Sequence, residues 1–187
     1  MGLPRIIQGG MGAGVSGWRL ARAVSLQGEL GVVSGIASEV IMAGRLRAGD
    51  EGGHVRRALA AFPDQGVADR VLADYFAETM LERAAARLPR VHRVREPAEL
   101  AQDTIAGSFV EIFLAKEGHH RPVGVNLLTK IQLPILASLY GAMLERIGRA
   151  DVVTVRTRLE AGDDARRMPV ALFGGGHVGR AIVQALA

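Results

Sequence analysis

The chain has no cysteine, which excludes disulfides, thiol catalysis and cysteine-ligated metals together. It has almost no lysine: Lys116 and Lys130 are the only two, so the net charge of +4 is an arginine charge. Aromatic residues make up only 4%, against 49% hydrophobic residues and 24 glycines in 187 residues, which suits an α/β protein with small-residue turns better than a β-sandwich. No apolar run approaches the ~20 residues that cross a bilayer. The N-terminus lacks the charged start, apolar stretch and small-residue cleavage site of a signal peptide. A cytoplasmic protein without membrane contact is the expectation.

The densest basic stretch, Arg83, Arg87, Arg90, Arg93 and Arg95, contains no aromatic residue and is diluted by Glu82 and Glu96. That is the pattern of a solvated helix end and loop, and no nucleic-acid partner is expected. His119 and His120 are adjacent, and neighbouring side chains rarely converge on one ion. With no carboxylate cluster at ligand spacing, no metal site is expected.

What the chain does have is a glycine-rich turn at each end. The first is Ile6-Ile7-Gln8-Gly9-Gly10-Met11-Gly12-Ala13-Gly14-Val15-Ser16-Gly17, and the second is Val170-Ala171-Leu172-Phe173-Gly174-Gly175-Gly176-His177-Val178-Gly179. Each follows a short apolar run and opens a helix-like segment, the arrangement by which backbone N–H groups and a helix N-terminus hold a phosphate. The run from Gly12 to Gly17 satisfies G-x-G-x-x-G. Yet Gly9, Gly10 and Met11 separate it from its strand, and the next strand ends in Ser34-Gly35 rather than in a ribose-binding acid. A glycine turn without ligand stands beside the nucleotide reading. The second turn is better placed: its strand leads directly into Gly174, and Gly176 and Gly179 follow at the required spacing. Their roles would be a tight turn, close pyrophosphate approach and close helix packing, with NAD as a candidate ligand. A packed strand and helix without ligand is the alternative there.

Between the turns, Ile6 to Gln8 reads as a short buried strand, Ser16 as an N-cap, and the segment through Trp18, Leu20, Ala21, Val24 and Leu26 as a helix stopped by Gly28. Gly31-Val32-Val33-Ser34-Gly35 reads as a second strand, so the first thirty-odd residues form a parallel βαβ unit. Helices are predicted over 40–46, 54–62, 67–88, 100–117 and 133–147, the last with Pro134 in its first turn, and strands over 122–128 and 151–155. The polar stretch 158–168 reads as a linker, 170–173 as a short buried strand and 178–187 as an apolar helix.

Gln8-Gly9-Gly10-Met11-Gly12, Val32-Val33-Ser34-Gly35 and Gly124-Val125-Asn126-Leu127-Leu128 together resemble the nitronate monooxygenase family, formerly called 2-nitropropane dioxygenases. The likeness is to its long bacterial branch, which includes enoyl reductases of polyketide and polyunsaturated fatty acid synthesis. Gly52-Gly53-His54-Val55-Arg56-Arg57-Ala58-Leu59, residues 109–118 and Ala137-Ser138-Leu139-Tyr140-Gly141-Ala142-Met143-Leu144 extend it over about 1–147. The resemblance implies an FMN-dependent TIM barrel with Gly9, Gly10, Met11, Gly12, Ser34 and Asn126 as flavin contacts at the strand ends. Glycines there would let the backbone approach a flat ring, Met11 would add a soft apolar contact, and Asn126 can both donate and accept. This family places its catalytic histidine in a Gly-Gly-His motif after a later strand. Gly52-Gly53-His54 lies early, before a helix, and the role is not transferred.

Residues 169–187 resemble instead the start of the Rossmann domain of xanthine dehydrogenase accessory proteins, which help insert the molybdenum cofactor. That resemblance adds a molybdopterin nucleotide to NAD as a possible ligand of Gly174, Gly176 and Gly179. The expected architecture is therefore α/β: a partial TIM-barrel-like part of FMN-binding type over 1–147, a junction over 148–168 and a Rossmann-like βα unit over 169–187. A barrel takes about 250 residues, so both folds are expected to be truncated here, with self-association through unfinished sheet edges. The expected function is FMN-dependent oxidation of an alkyl nitronate or flavin-mediated reduction of an unsaturated small-molecule substrate, with no catalytic base assigned. The alternatives are a nucleotide-binding maturation factor and a non-functional fusion fragment.

Overall fold

The computed structural model describes residues 4–89, 92, 97–128, 130, 132–145 and 170–173. The fold is mixed α/β. In order come β1 (Ile7–Gln8), α1 (Trp18–Leu26), β2 (Leu30–Ser34), α2 (Ser38–Arg47), a 3-10 turn (Glu51–Gly53), α3 (His54–Ala60), α4 (Gln65–Tyr75) and α5 (Met80–Ala85). Then follow α6 (Ala98–Lys116), β3 (Val123–Asn126), α7 (Ile135–Leu144) and β4 (Val170–Phe173). The sheet order is β1-β2-β3-β4. The first three strands are parallel, with Ile7 opposite Leu30, Gly31 opposite Val123 and Ser34 opposite Asn126. β4 runs antiparallel along β3, with Val123 opposite Phe173.

Strand alternation divides the sheet into two faces. Gly31 and Val33 on β2, with Val123 and Val125 on β3, meet the helices: Val33, Val123 and Val125 share one core with Trp18 and Ala21 of α1 and Ala106, Phe109 and Val110 of α6. Gly31 faces α1 so closely that a Cβ would lie 2.0 Å from the Ala21 carbonyl oxygen. The opposite face carries Leu30, Val32, Ser34, Gly124 and Asn126, all buried. α6 is buried on nearly every side, the signature of a central helix. Phe109 meets Phe62 edge-on at 5.1 Å and stacks on Phe113 at 5.6 Å. Each such fully buried apolar side chain contributes about 1.5–3 kcal/mol.

The parallel βαβ unit is present as the sequence predicts, and Gly28 and Gly118 follow α1 and α6 with positive φ, as C-terminal glycines do. Three expectations need correction. The strand at Ile7–Gln8 is not buried: Ile6 and Ile7 are each 61% exposed, and among the described residues β1 pairs with β2 alone, at the edge of the sheet. Ser16 is not the cap of α1. Gly17 occupies that position without a side-chain bond, and Ser16 turns its hydroxyl into the glycine loop. The helix predicted over 67–88 is two helices. α4 stops at Phe76, whose extended backbone breaks the ladder, and α5 restarts on a Thr79–Glu82 capping box. The strand predicted over 170–173 is present, antiparallel on β3 in the same sheet. The strand predicted over 151–155 and the helix over 178–187 lie outside the described residues.

The basic stretch is anchored where it is described. Arg83 donates to the Ala48 carbonyl at 3.0 Å, and Arg87 pairs with Asp74. Beneath it a buried network holds α4 to α6: Tyr75 Oη donates to Asp103 Oδ2 at 2.7 Å and Arg70 to Asp103 Oδ1 at 2.8 Å.

Candidate functional site

The carboxyl ends of β1, β2 and β3 come together, and the glycine loop after β1 folds back onto them. Ser16 organises that loop. Its Oγ accepts from Met11 N at 2.9 Å and donates to the Gly9 carbonyl at 3.0 Å, while its own carbonyl accepts from Ser34 N at 2.8 Å. Gln8 Oε1 accepts from Val32 N at 3.2 Å. Gly10 is thereby pressed against the sheet: a Cβ there would lie 2.7 Å from the Val33 carbonyl oxygen and 2.9 Å from Asn126 Cβ. Any side chain at position 10 would push the loop off the strand ends.

Asn126 Nδ2 donates to the Gly10 carbonyl at 2.8 Å. Among the described residues, Asn126 Oδ1 and Ser34 Oγ have no hydrogen-bond partner, and Ser34 and Asn126 are only 3% and 9% exposed. The two residues are register partners on the face away from α1 and α6. A buried polar group left unpaired costs about 1–3 kcal/mol, so two side by side are a penalty that packing alone does not explain. Of the residues expected at a flavin, the fold brings Gly10, Ser34 and Asn126 together. Gly9 supports the loop through its carbonyl, Met11 is 63% exposed, and Gly12 sits in the outer turn with φ +68°. Gly174, Gly176 and Gly179 lie outside the described residues.

The phosphate reading of the first turn meets a physical obstacle. Trp18 N, at the start of α1, donates to Glu111 Oε2 at 2.9 Å, and Arg45 pairs with Glu111 Oε1. Glu111 is buried, so a carboxylate of the chain itself takes the favourable place at the positive end of the helix. The sequence offered no sign of this, since Glu111 is 93 residues from Trp18.

Gly52-Gly53-His54 is a capping turn. Gly52 and Gly53 adopt φ of 78° and 64°, a region that glycine enters without a Cβ penalty. This folds the chain so that the buried Asp50 carboxylate accepts from Val55 N and Arg56 N, both at 2.9 Å. His54 packs tilted on Trp18 at 5.0 Å. His119 is likewise committed to the fold, its Nε2 donating to the Ala115 carbonyl at 2.7 Å and its Nδ1 accepting from Arg121 N at 3.2 Å. These two bonds require the neutral ring, and burial holds its pKa below the ordinary 6.5. Because the unfolded chain then binds the extra proton more readily, His119 contributes stability above pH 6.5 that falls away below it. Replacing His119 by Gln should flatten this part of a stability-against-pH curve measured by urea unfolding.

Beside the strand ends is a pocket of about 120 Å³ lined by Gly35, Ile36, Leu127, Leu128 and Ile135, with Glu39 and His92 among its walls. Glu39 is 5% exposed, and Oε1 accepts from His92 Nε2 at 3.2 Å. Sequence reasoning missed this pair. The two residues stand 53 positions apart, and nothing local in the sequence joins them.

Among the described residues, no three histidine or acidic side chains are grouped to hold a metal, and no helix is long and apolar enough to cross a membrane. Compared with known families, characterised proteins and solved structures, the chain matches none.

Proposed function

We propose that the chain is a flavin-binding oxidoreductase of the nitronate monooxygenase type, with the edge of an FMN ring received at the carboxyl ends of β1, β2 and β3. The observation that carries this reading is the buried, unpartnered pair of Ser34 Oγ and Asn126 Oδ1 beside Gly10. Asn126 Oδ1 would accept from a ring N–H, and the Ser34 hydroxyl can donate or accept next to it. Two features of the fold support the reading. The parallel strands stand in consecutive order, and α1 and α6, from successive crossovers, pack on one face. That winding suits a barrel wall, whereas a doubly wound nucleotide fold reverses strand order and covers both faces.

The described residues suit the ring edge and not the phosphate, because Glu111 already occupies the N-terminus of α1. When bound, the flavin would supply the redox chemistry, taking electrons from a nitronate or passing them to an unsaturated substrate. The chain itself orients the ring: Ser16 fixes the loop, the loop fixes Gly10, and Gly10 fixes the Asn126 amide through its carbonyl. No residue is assigned as catalytic base.

The test is a titration of FMN followed by flavin fluorescence, with thermal unfolding in parallel. Wild type should quench the flavin. Ser34→Ala should weaken binding up to about tenfold and yet raise the stability of the ligand-free chain, since it removes a buried hydroxyl with nothing to bond. Absence of quenching by wild type would overturn the assignment, and so would a Ser34→Ala variant that binds FMN as wild type does.

A further inference from the structure

The pocket containing Glu39 and His92 is separate from the Ser34–Asn126 pair. Strand alternation places Gly35 and Leu127 on the helix face, while Ser34 and Asn126 point to the other. Its walls are mostly apolar, from Ile36, Leu127, Leu128 and Ile135, yet Glu39 is also among them and is 95% buried by its 5% exposure. Burying an acid in apolar surroundings is costly unless its oxygens are satisfied. Among the described residues, the Glu39 carboxylate accepts one hydrogen bond, at Oε1 from His92. The second oxygen accepts no hydrogen bond from the described residues, and Glu39 is one of the residues that line the pocket.

We propose that this pocket is a binding site for a compact organic molecule with an apolar body and a hydrogen-bond-donating head, a hydroxyl or an ammonium group, seated on Glu39. Size sets the body. A volume of about 120 Å³ is of the order of the 150 Å³ apolar cavity that suffices for benzene. The occupant's body is therefore small, on the scale of about four to six non-hydrogen atoms. Chemistry sets the head. Glu39 can only accept when ionised, so a donor satisfies it and a second carboxylate opposes it. His92 stands on the other oxygen and holds the carboxylate in place. The site does not depend on the flavin assignment, since none of its lining residues belongs to the Gly10–Ser34–Asn126 cluster.

The experiment uses the whole chain without flavin and three probes of matched body: n-butanol, n-butylammonium and butanoate. Methyl NMR signals of Leu127, Leu128 and Ile135 report occupancy. n-Butanol and n-butylammonium should shift them saturably, and butanoate should not. Glu39→Gln keeps the shape and removes the charge, and should weaken n-butylammonium about tenfold while changing n-butanol less. Ile135→Trp, a variant that fills the pocket from its partly buried wall, should abolish both responses in a chain whose far-UV circular dichroism is unchanged. Saturable binding of butanoate as tight as that of the donors would overturn the proposal, because it would place the attraction at the N-terminus of α2. No response to any probe would overturn it too, as would shifts that persist in Ile135→Trp. An unchanged n-butylammonium affinity in Glu39→Gln would remove Glu39 from the site.

Discussion

Replacing Gly31 by alanine should destabilise the protein by about 3 kcal/mol or more, a large fraction of a typical total of ~5–15 kcal/mol. The new Cβ would lie 2.0 Å from the Ala21 carbonyl oxygen and 2.7 Å from Ala21 Cα. Those are backbone atoms of α1, so no side chain can rotate aside. The whole helix has to lift from β2, which opens the core around Trp18, Ala21 and Val33. Gly141→Ala should behave similarly, since its Cβ would meet the Ile105 carbonyl oxygen at 2.1 Å where α7 crosses α6. Gly44→Ala is the control. It sits within α2 with nothing inside 4 Å of the added carbon, so it should stabilise by about 0.5–1 kcal/mol through helix propensity. At ~2–4 °C per kcal/mol for a chain of this size, Gly31→Ala should lower Tm by about 10 °C and Gly44→Ala should raise it by about 2 °C. A thermal melt of Gly31→Ala within a degree or so of wild type would refute the close packing of α1 on β2.

Glu111→Ala should cost about 2–4 kcal/mol and at the same time create an anion site. Removing the carboxylate leaves Trp18 N without its acceptor and Arg45 without its counter-ion. Arg45 is 27% exposed and can rehydrate, which keeps the cost from being larger. What remains is a helix N-terminus following a glycine-rich loop with an arginine beside it, the composition of a phosphate site. Sulfate or inorganic phosphate should then raise the Tm of Glu111→Ala more than that of wild type, in a concentration-dependent way. Equal salt responses in the two proteins would sink the idea that Glu111 stands where an anion would bind. This matters for the first glycine turn, whose G-x-G-x-x-G spacing alone cannot say whether its helix end is open.

Much of the local structure is legible in the chain. The βαβ unit, the helix stops at Gly28 and Gly118 and the proline at the start of α7 all follow from nearest-neighbour chemistry. The break between α4 and α5 was legible too, for Thr79-x-x-Glu82 is a capping box, but the three-to-four spacing of apolar residues ran across it. Periodicity records which residues seek a core and not whether the chain turns between them. Gly10, Ser34 and Asn126 could be named as flavin contacts only through the family resemblance of the sequence around them. That two of their polar atoms are left unpaired could not, because hydrogen-bond accounting requires every neighbour to be in place.

By itself, then, the sequence determined the mixed α/β class, the places where strands end in small and polar residues, and the absence of any cysteine chemistry. Tertiary structure alone decided that a carboxylate 93 positions away closes the first helix end, that Gly-Gly-His is a capping turn, and that Glu39 and His92 meet at the wall of a pocket. The physical reason is range. Turns, caps and strand alternation are set within a few residues along the backbone, whereas a helix end is free or filled according to which distant side chain packing delivers to it.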